Sequence, residues 1–252
     1  MTPSTGRVED FLGREIGLPV EIVEVGRFVE RPNRFIGVVE VKGELKRAHI
    51  SDTGRLRELL KPGVKSYLAR NPNGKLDFKL VGVETPIGPI LLYPPAHNWI
   101  GERLIEMGLL GFSPGRIERE RSIGGSRLDL LVDRQVWVEI KGCNLQIGEW
   151  CLFPDAPTTR GARHLRELGE VKGVLLLLLF RPCLHWGVRW EEDPKFGEVL
   201  EQVKRKGVQI FPVGLETHLS PTPRVKITHF PGVEFRKGRF TGNLHNFHPP
   251  TL

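Results

Sequence analysis

SRLDLLVDRQVWVEIKG, residues 126–142, sets two short apolar runs, Leu130–Val132 and Val136–Val138, around a polar break of Asp133, Arg134 and Gln135. A hairpin turning at that break pairs Val132 with Val136, Leu131 with Trp137, and Asp129 with Glu139. Strand alternation then puts Trp137, Glu139 and Lys141 on one face, and Val136, Val138 and Ile140 on the other. Directly opposed side chains lie about 5 Å apart at Cβ, where like charges repel. A divalent cation between Asp129 and Glu139, with Lys141 beside it, offsets that repulsion. Hard Mg²⁺ binds through one or two carboxylates, keeps several waters and takes substrate phosphate. The other reading is an amphipathic hairpin whose polar face meets water. Register matters to both, because a slip of one residue sends Asp129 and Glu139 to opposite faces.

SRLDLLV followed by VWVEIKG resembles the D-x(n)-E-x-K hairpin of the PD-(D/E)XK nuclease superfamily. Over most of its length the chain is similar to the sugar fermentation stimulation protein family. The similarity is carried by AHISDTGRLRELLKPG (48–63), SRLDLL, VEIKG and FPDAPTTRGARHLREL (153–168), in that order. The resemblance implies a multi-domain α/β protein with an N-terminal OB-type barrel and a C-terminal restriction-endonuclease-like domain. It further implies DNA as partner and nuclease activity dependent on Mg²⁺ or Mn²⁺. On that reading Asp129, Glu139 and the Ile140 carbonyl hold the ion, and Lys141 orients water or stabilises developing charge. Superfamily nucleases place a further acid on a nearby helix, for which Glu102 is the candidate. The rival reading is a DNA-binding regulator of sugar metabolism that keeps the nuclease fold for binding alone.

The 252 residues suit two unequal domains. An excess of 37 Lys plus Arg over 30 Asp plus Glu, net +7, favours a polyanionic partner. Cys143, Cys151 and Cys183 show no ligand spacing, so neither a zinc site nor a disulfide framework is expected, and a reducing cytoplasm is. The longest apolar run, Val174–Phe180, falls short of the roughly 20 residues of a membrane helix, and no signal peptide opens the chain. A cytoplasmic protein without membrane contact is therefore expected, its oligomeric state open, a homodimer included.

The expected domains are residues 1–94, a barrel preceded by a short helix at Arg7–Glu15; 95–231, the nuclease-like domain; and 232–252, a polar tail holding His245 and His248. Short β-rich runs from Pro19 to Pro94, broken at Pro32-Asn33, Lys42-Gly43, Asn71–Gly74 and Ile87-Gly88, suit a small closed barrel. There Arg27, Arg31, Arg34, Arg47 and Arg55 are candidate DNA contacts, with Phe28, Phe35 and Tyr67 as stacking platforms. Pro94-Pro95 marks a connector, and NWIGERLIEMGLLG (98–111) reads as a helix. RIERERSIGG precedes the hairpin as a strand with a Gly-Gly turn. Beyond the hairpin, a helix starting at Pro157 or Thr158 and closing at Gly169 carries Arg160, Arg163 and His164 as further DNA contacts. VLLLLLF is apolar on both faces, as a covered central strand should be. The helix PKFGEVLEQVKRKG and the strand VQIFPV complete a sheet with a parallel part.

Overall fold

The computed structural model describes residues 8–237 and Phe240. These divide into two compact units. One takes the described residues up to Arg14, His97–Leu215 and those from Ile227 onward; the other takes Glu15–Ala96 and Glu216–Lys226. The division departs from the expected boundaries at the N-terminal residues, at residues 216–226 and at the described residues of the expected tail, which join the nuclease-like unit. The N-terminal residues join the nuclease-like unit, where Gly13 N–H donates to Ile227 O (2.9 Å). Residues 216–226 join the barrel unit, where Leu18 N–H donates to Pro223 O (2.8 Å).

In the barrel unit, β1 (Glu15–Gly17) is followed by β2 (Glu24–Asn33), β3 (Ile36–Val41), β4 (Glu44–His49), β5 (Lys65–Arg70), β6 (Phe78–Thr85) and β7 (Gly88–Leu91). The sheet order is β4-β3-β2-β5-β6-β7, and a parallel β4–β6 pairing closes it into the expected barrel. Closure of the β4-β3-β2-β5-β6 ring pairs the edge that β4 would otherwise expose, and β7 adds onto β6. The interior holds Phe28, Val39, Ile50, Leu68, Leu80 and Leu91. The expected N-terminal helix is a single 3-10 turn at Val8–Asp10, because Gly13 turns left-handed (φ 78) before β1 begins.

The nuclease-like unit contains α1 (Pro95–Glu106), β8 (Ile117–Ile123), β9 (Ser126–Val132), β10 (Val136–Cys143), β11 (Leu145–Ile147), β12 (Trp150–Phe153), α2 (Thr159–Glu170), β13 (Val174–Leu179), β14 (His185–Val188) and α3 (Pro194–Lys206). After these in the chain come β15 (Gln209–His218), β16 (Arg224–His229) and β17 (Gly232–Glu234), of which residues 216–218 and 224–226 belong to the barrel unit. Pro95 opens α1 instead of belonging to a connector, since a missing N–H costs nothing in the first turn of a helix. The seven-stranded sheet runs β1-β16-β15-β13-β10-β9-β8, antiparallel through the hairpin and parallel along β10, β13 and β15. β13, apolar on both faces, is buried throughout, as expected.

Both helices flanking β13 start on one carboxylate. Asp193 Oδ1 accepts the Phe196 N–H (2.9 Å) and caps α3, while Oδ2 accepts the Thr158 N–H (2.8 Å) at the cap of α2. Gly169 is the place where α2 meets α3 rather than the stop of α2: a Cβ there would lie 2.7 Å from the Val203 side chain. A second sheet, β11-β12-β14-β17, was not expected. Its strands have three or four residues each, too short for alternation to register. Through β17 it takes in the first residues of the expected tail; His245 and His248 lie outside the described residues.

The cysteine expectation is also corrected. Parallel pairing of β12 with β14 brings Cys151 beside Cys183, and the two form a disulfide across 32 residues of sequence, leaving Cys143 free and buried. Spacing along the chain gave no hint of a pairing that depends on two strands becoming neighbours. No described helix is long and apolar enough to cross a membrane. Thiol titration in denaturant without reductant is expected to find one reactive group per chain, rising to three after reduction; three before reduction would show that the disulfide is absent.

Candidate functional site

The hairpin follows the expected register over Val132–Val136, Leu131–Trp137 and Leu130–Val138. Asp133 and Arg134 make the turn with φ of 49° and 54°, and Gln135 N–H returns to Val132 O at 2.9 Å. A left-handed backbone is uncommon outside glycine but easiest for Asp and Asn. Asp133 steadies the turn further, its Oδ1 accepting the Gly115 and Arg116 N–H groups at 2.9 and 2.7 Å. Past Leu130 the ladder gives way to a side chain: Asp129 Oδ2 accepts the Ile140 N–H at 2.7 Å. That bond holds Asp129 of β9 against the strand that carries Glu139.

Glu139 is 1% exposed. Its Oε1 accepts from the Lys141 ammonium and from His164 Nδ1, the latter at 2.6 Å. Its Oε2 is buried and has no hydrogen-bond partner among the described residues. Arg160 Nε donates to His164 Nε2 at 3.3 Å. A guanidinium can only donate, so Nε2 is the acceptor and the ring proton sits on Nδ1, facing Glu139. His164 is thus a buried link in a chain running from Arg160 to Glu139, not the surface DNA contact expected for it. The sequence placed it on the correct helix, but which way that helix turned over β10 was not written in the spacing.

The two carboxyls titrate apart. Burial, then the Glu139 charge, push the Asp129 carboxyl up to about 6, against the opposing pull of Lys141 and the Ile140 N–H. Burial also pushes Glu139 up, but the His164 hydrogen bond and the Lys141 charge outweigh it, and its pKa is lowered. The opposite face of β10 lies under α1. A Cβ on Gly101 would meet Ile140 Cδ1 at 2.3 Å, and one on Gly142 would meet the His97 ring at the same distance. His97 also stacks on Phe180. The closing glycine of VEIKG is therefore a packing requirement, and His97, a neighbour of the site, went unnoticed in the sequence. Burial, with the Lys141 charge second, lowers its pKa to about 4.

The remaining candidates separate cleanly. Glu102 is buried with both oxygens on the Arg119 guanidinium, which corrects its reading as an extra metal ligand. Arg31 donates to the carbonyls of Gly54, Arg55, Arg34 and Asp52, so it ties loops together instead of facing solvent. Arg27, Arg34, Arg47 and Arg55 are exposed, Arg27 with one bond to Gly63 O. The aromatic assignments are partly reversed. Phe28 and Tyr67 are core, Tyr67 bonding to Glu84, whereas Phe35 is 42% exposed with the Arg34 guanidinium 4.6 Å from its ring centre. Arg160 and Arg163 are exposed on α2.

A small OB barrel and a mixed α/β domain of restriction-endonuclease type within one chain define a class of two-domain protein. The family profile for the SfsA N-terminal OB domain matches residues 29–92, and that for the sugar fermentation stimulation protein RE domain matches 96–221. The chain belongs to the sugar fermentation stimulation protein family. The homolog from Pyrobaculum islandicum is 41% identical over 212 residues, 79% of this chain and 90% of that protein. The homolog from Methanothermobacter thermautotrophicus is 38% identical over 208 residues, 77% and 87% of the two chains. The structure of Pyrococcus furiosus SfsA in complex with Ca²⁺ is similar with a TM-score of 0.76 at 31% identity, over 85% of this chain and 99% of that one.

The raised Asp129 pKa sets a pH dependence. A folded value near 6, above the ordinary 3.8, favours the fold while the group is protonated, and that contribution is lost as pH rises through about 6. Asp129→Asn keeps an oxygen for the Ile140 N–H and removes the charge. It is expected to exceed the metal-free wild type in stability at pH 8 by up to about 3 kcal/mol, with the gap closing near pH 4. Denaturant titrations in EDTA at both pH values measure this; a variant weaker than wild type at pH 8 would contradict it.

Proposed function

We propose that the chain is a nuclease that hydrolyses phosphodiester bonds of DNA with a divalent cation, Mg²⁺ or Mn²⁺, at Asp129, Glu139 and Lys141. The observation that carries this reading is Glu139 Oε2, a buried carboxylate oxygen with no protein partner among the described residues, on the strand to which Asp129 is bound. An unsatisfied buried oxygen of this kind costs free energy unless a ligand completes it. Among the described residues no group of three or more His, Cys, Asp and Glu side chains is suited to hold a metal ion. The residues that fit are accordingly Asp129, Glu139 and the Ile140 carbonyl, with solvent and substrate oxygens as further donors, a set that suits a hard cation. The Ca²⁺ complex of the Pyrococcus furiosus relative supports a divalent ion.

Bound there, such an ion supplies Lewis-acid polarisation of a phosphoryl oxygen and a more acidic water. The protein's share is orientation. His164 and Lys141 hold Oε1 of Glu139, which fixes the carboxylate plane and leaves Oε2 as its open oxygen. Asp129 is held by the Ile140 N–H, so neither acid needs to reorganise. Lys141 places a positive charge where negative charge develops on the phosphoryl group. Arg34, beside the exposed Phe35 ring, and Arg27, Arg47 and Arg55 on the barrel suit backbone contacts and base stacking, as do Arg160 and Arg163 on α2 for the backbone alone.

Incubation with supercoiled, linear and single-stranded DNA in Mg²⁺, Mn²⁺ or EDTA tests the reading. Cleavage is expected with metal only, and Asp129→Ala, Glu139→Ala and Lys141→Ala are each expected to lower it at least about a hundredfold with DNA binding retained. Metal-dependent cleavage unchanged in all three variants would move the chemistry elsewhere. Binding without any cleavage by wild type would favour the regulator.

A further inference from the structure

A cavity of about 450 Å³ lies between α2 and the β8–β9 turn, walled by Gly124, Gly125 and Ser126 on one side and by Arg160, Arg163 and His164 on the other. It starts one imidazole away from the carboxylate pair, since the His164 that lines it is bonded to Glu139. The two arginines are held in the same way. Arg160 donates through Nε to His164, and Arg163 donates through Nε to the hydroxyl of buried Ser126 at 3.1 Å. Each guanidinium is thus oriented by its Nε, while its Nη groups have no acceptor among the described residues. Among the described residues no carboxylate lines the cavity. Arg127, which also lines the cavity, is paired with Glu120, and Glu167 has an oxygen on the Gly125 N–H, where it fixes the turn.

We propose that this cavity is a receptor for a phosphate monoester, carried by the end of a nucleic acid strand or by a free nucleotide. The inference deepens the nuclease reading and rests on it for the strand-end case. Three features select the ligand. Two guanidinium forks offer paired donors to more oxygens than the two non-bridging oxygens of a diester, and a monoester presents three with a charge near −1.5 to −2. The Ser126 hydroxyl accepts from Arg163 and so has its own proton to donate. The site is broadly open to solvent, so the phosphate it takes can remain attached to a longer strand. A terminal nucleotide seated here would lie next to the carboxylate pair, which would direct cleavage to strand ends.

The test is binding of the full chain, in EDTA, to internally labelled single strands that carry a 5′-phosphate, a 3′-phosphate or hydroxyls only. One phosphorylated form is expected to bind about tenfold more tightly than the hydroxyl form, and its polarity reads out the direction of approach. The Arg160→Lys/Arg163→Lys double variant keeps both charges and loses both forks, so it is expected to bring that ratio within twofold. Competition identifies the source. A mononucleotide that displaces only the phosphorylated strand supports the strand end; mononucleotide and inorganic phosphate binding without any end preference assigns the cavity to the free ligand. Equal affinity for all three ends with no phosphate or nucleotide binding, or a preference that survives the double lysine variant, overturns the proposal. Since no cleavage is needed, an inert carboxylate pair leaves this outcome standing. Metal-dependent cleavage without end preference removes the cavity's role and leaves the nuclease reading intact.

Discussion

The structure depends on keeping an ionised carboxylate inside a sheet. Removing one such charge from water costs several kcal/mol, and a buried charge survives only with partners of good geometry. Glu139 has them from two directions: Lys141, two residues along the same strand, and His164, from the helix packed over that strand. The histidine must in turn present Nδ1–H, which Arg160 ensures by occupying Nε2. Each partner needs its element in register, so the hairpin, the parallel β10–β13 pairing and the seating of α2 serve one oxygen atom.

That requirement explains what the sequence revealed. The hairpin register was legible because a polar break separates two apolar runs and a one-residue slip would invert every side chain. The barrel strands were legible from turn residues at Pro32-Asn33, Lys42-Gly43 and Ile87-Gly88, and α3 from Pro194 at its start and Gly207 (φ 108) at its end. These are local signals, each contained within a few residues.

What was not legible is set by contacts between segments far apart in the chain. Arg31 has the composition of a phosphate contact, and only the folded loops bring the carbonyls of Asp52, Gly54 and Arg55 to it. Phe28 and Phe35 stand seven positions apart along the same β-rich stretch, yet one fills the barrel and the other meets solvent under Arg34. Glu102 lies on α1, as the helical pattern of its stretch implies, but Arg119, seventeen residues later, occupies it. The clustering of Asp129, Glu139 and Lys141 is legible because one hairpin carries all three; the burial of His164 is not, because its partner is 25 residues away.

The carboxylate of Asp193 joins two helix starts, giving one oxygen to each. Helix ends ordinarily fray one at a time, each with its own small equilibrium. Here a single side-chain rotation would release the first turn of α3 and the cap of α2 together. The opening of α2 is thereby coupled to that of α3, and the segment holding Arg160 and His164 inherits the cooperativity of a helix pair rather than the looseness of a single terminus. A position that touches neither the carboxylate pair nor the cavity thus helps to set how long both stay assembled.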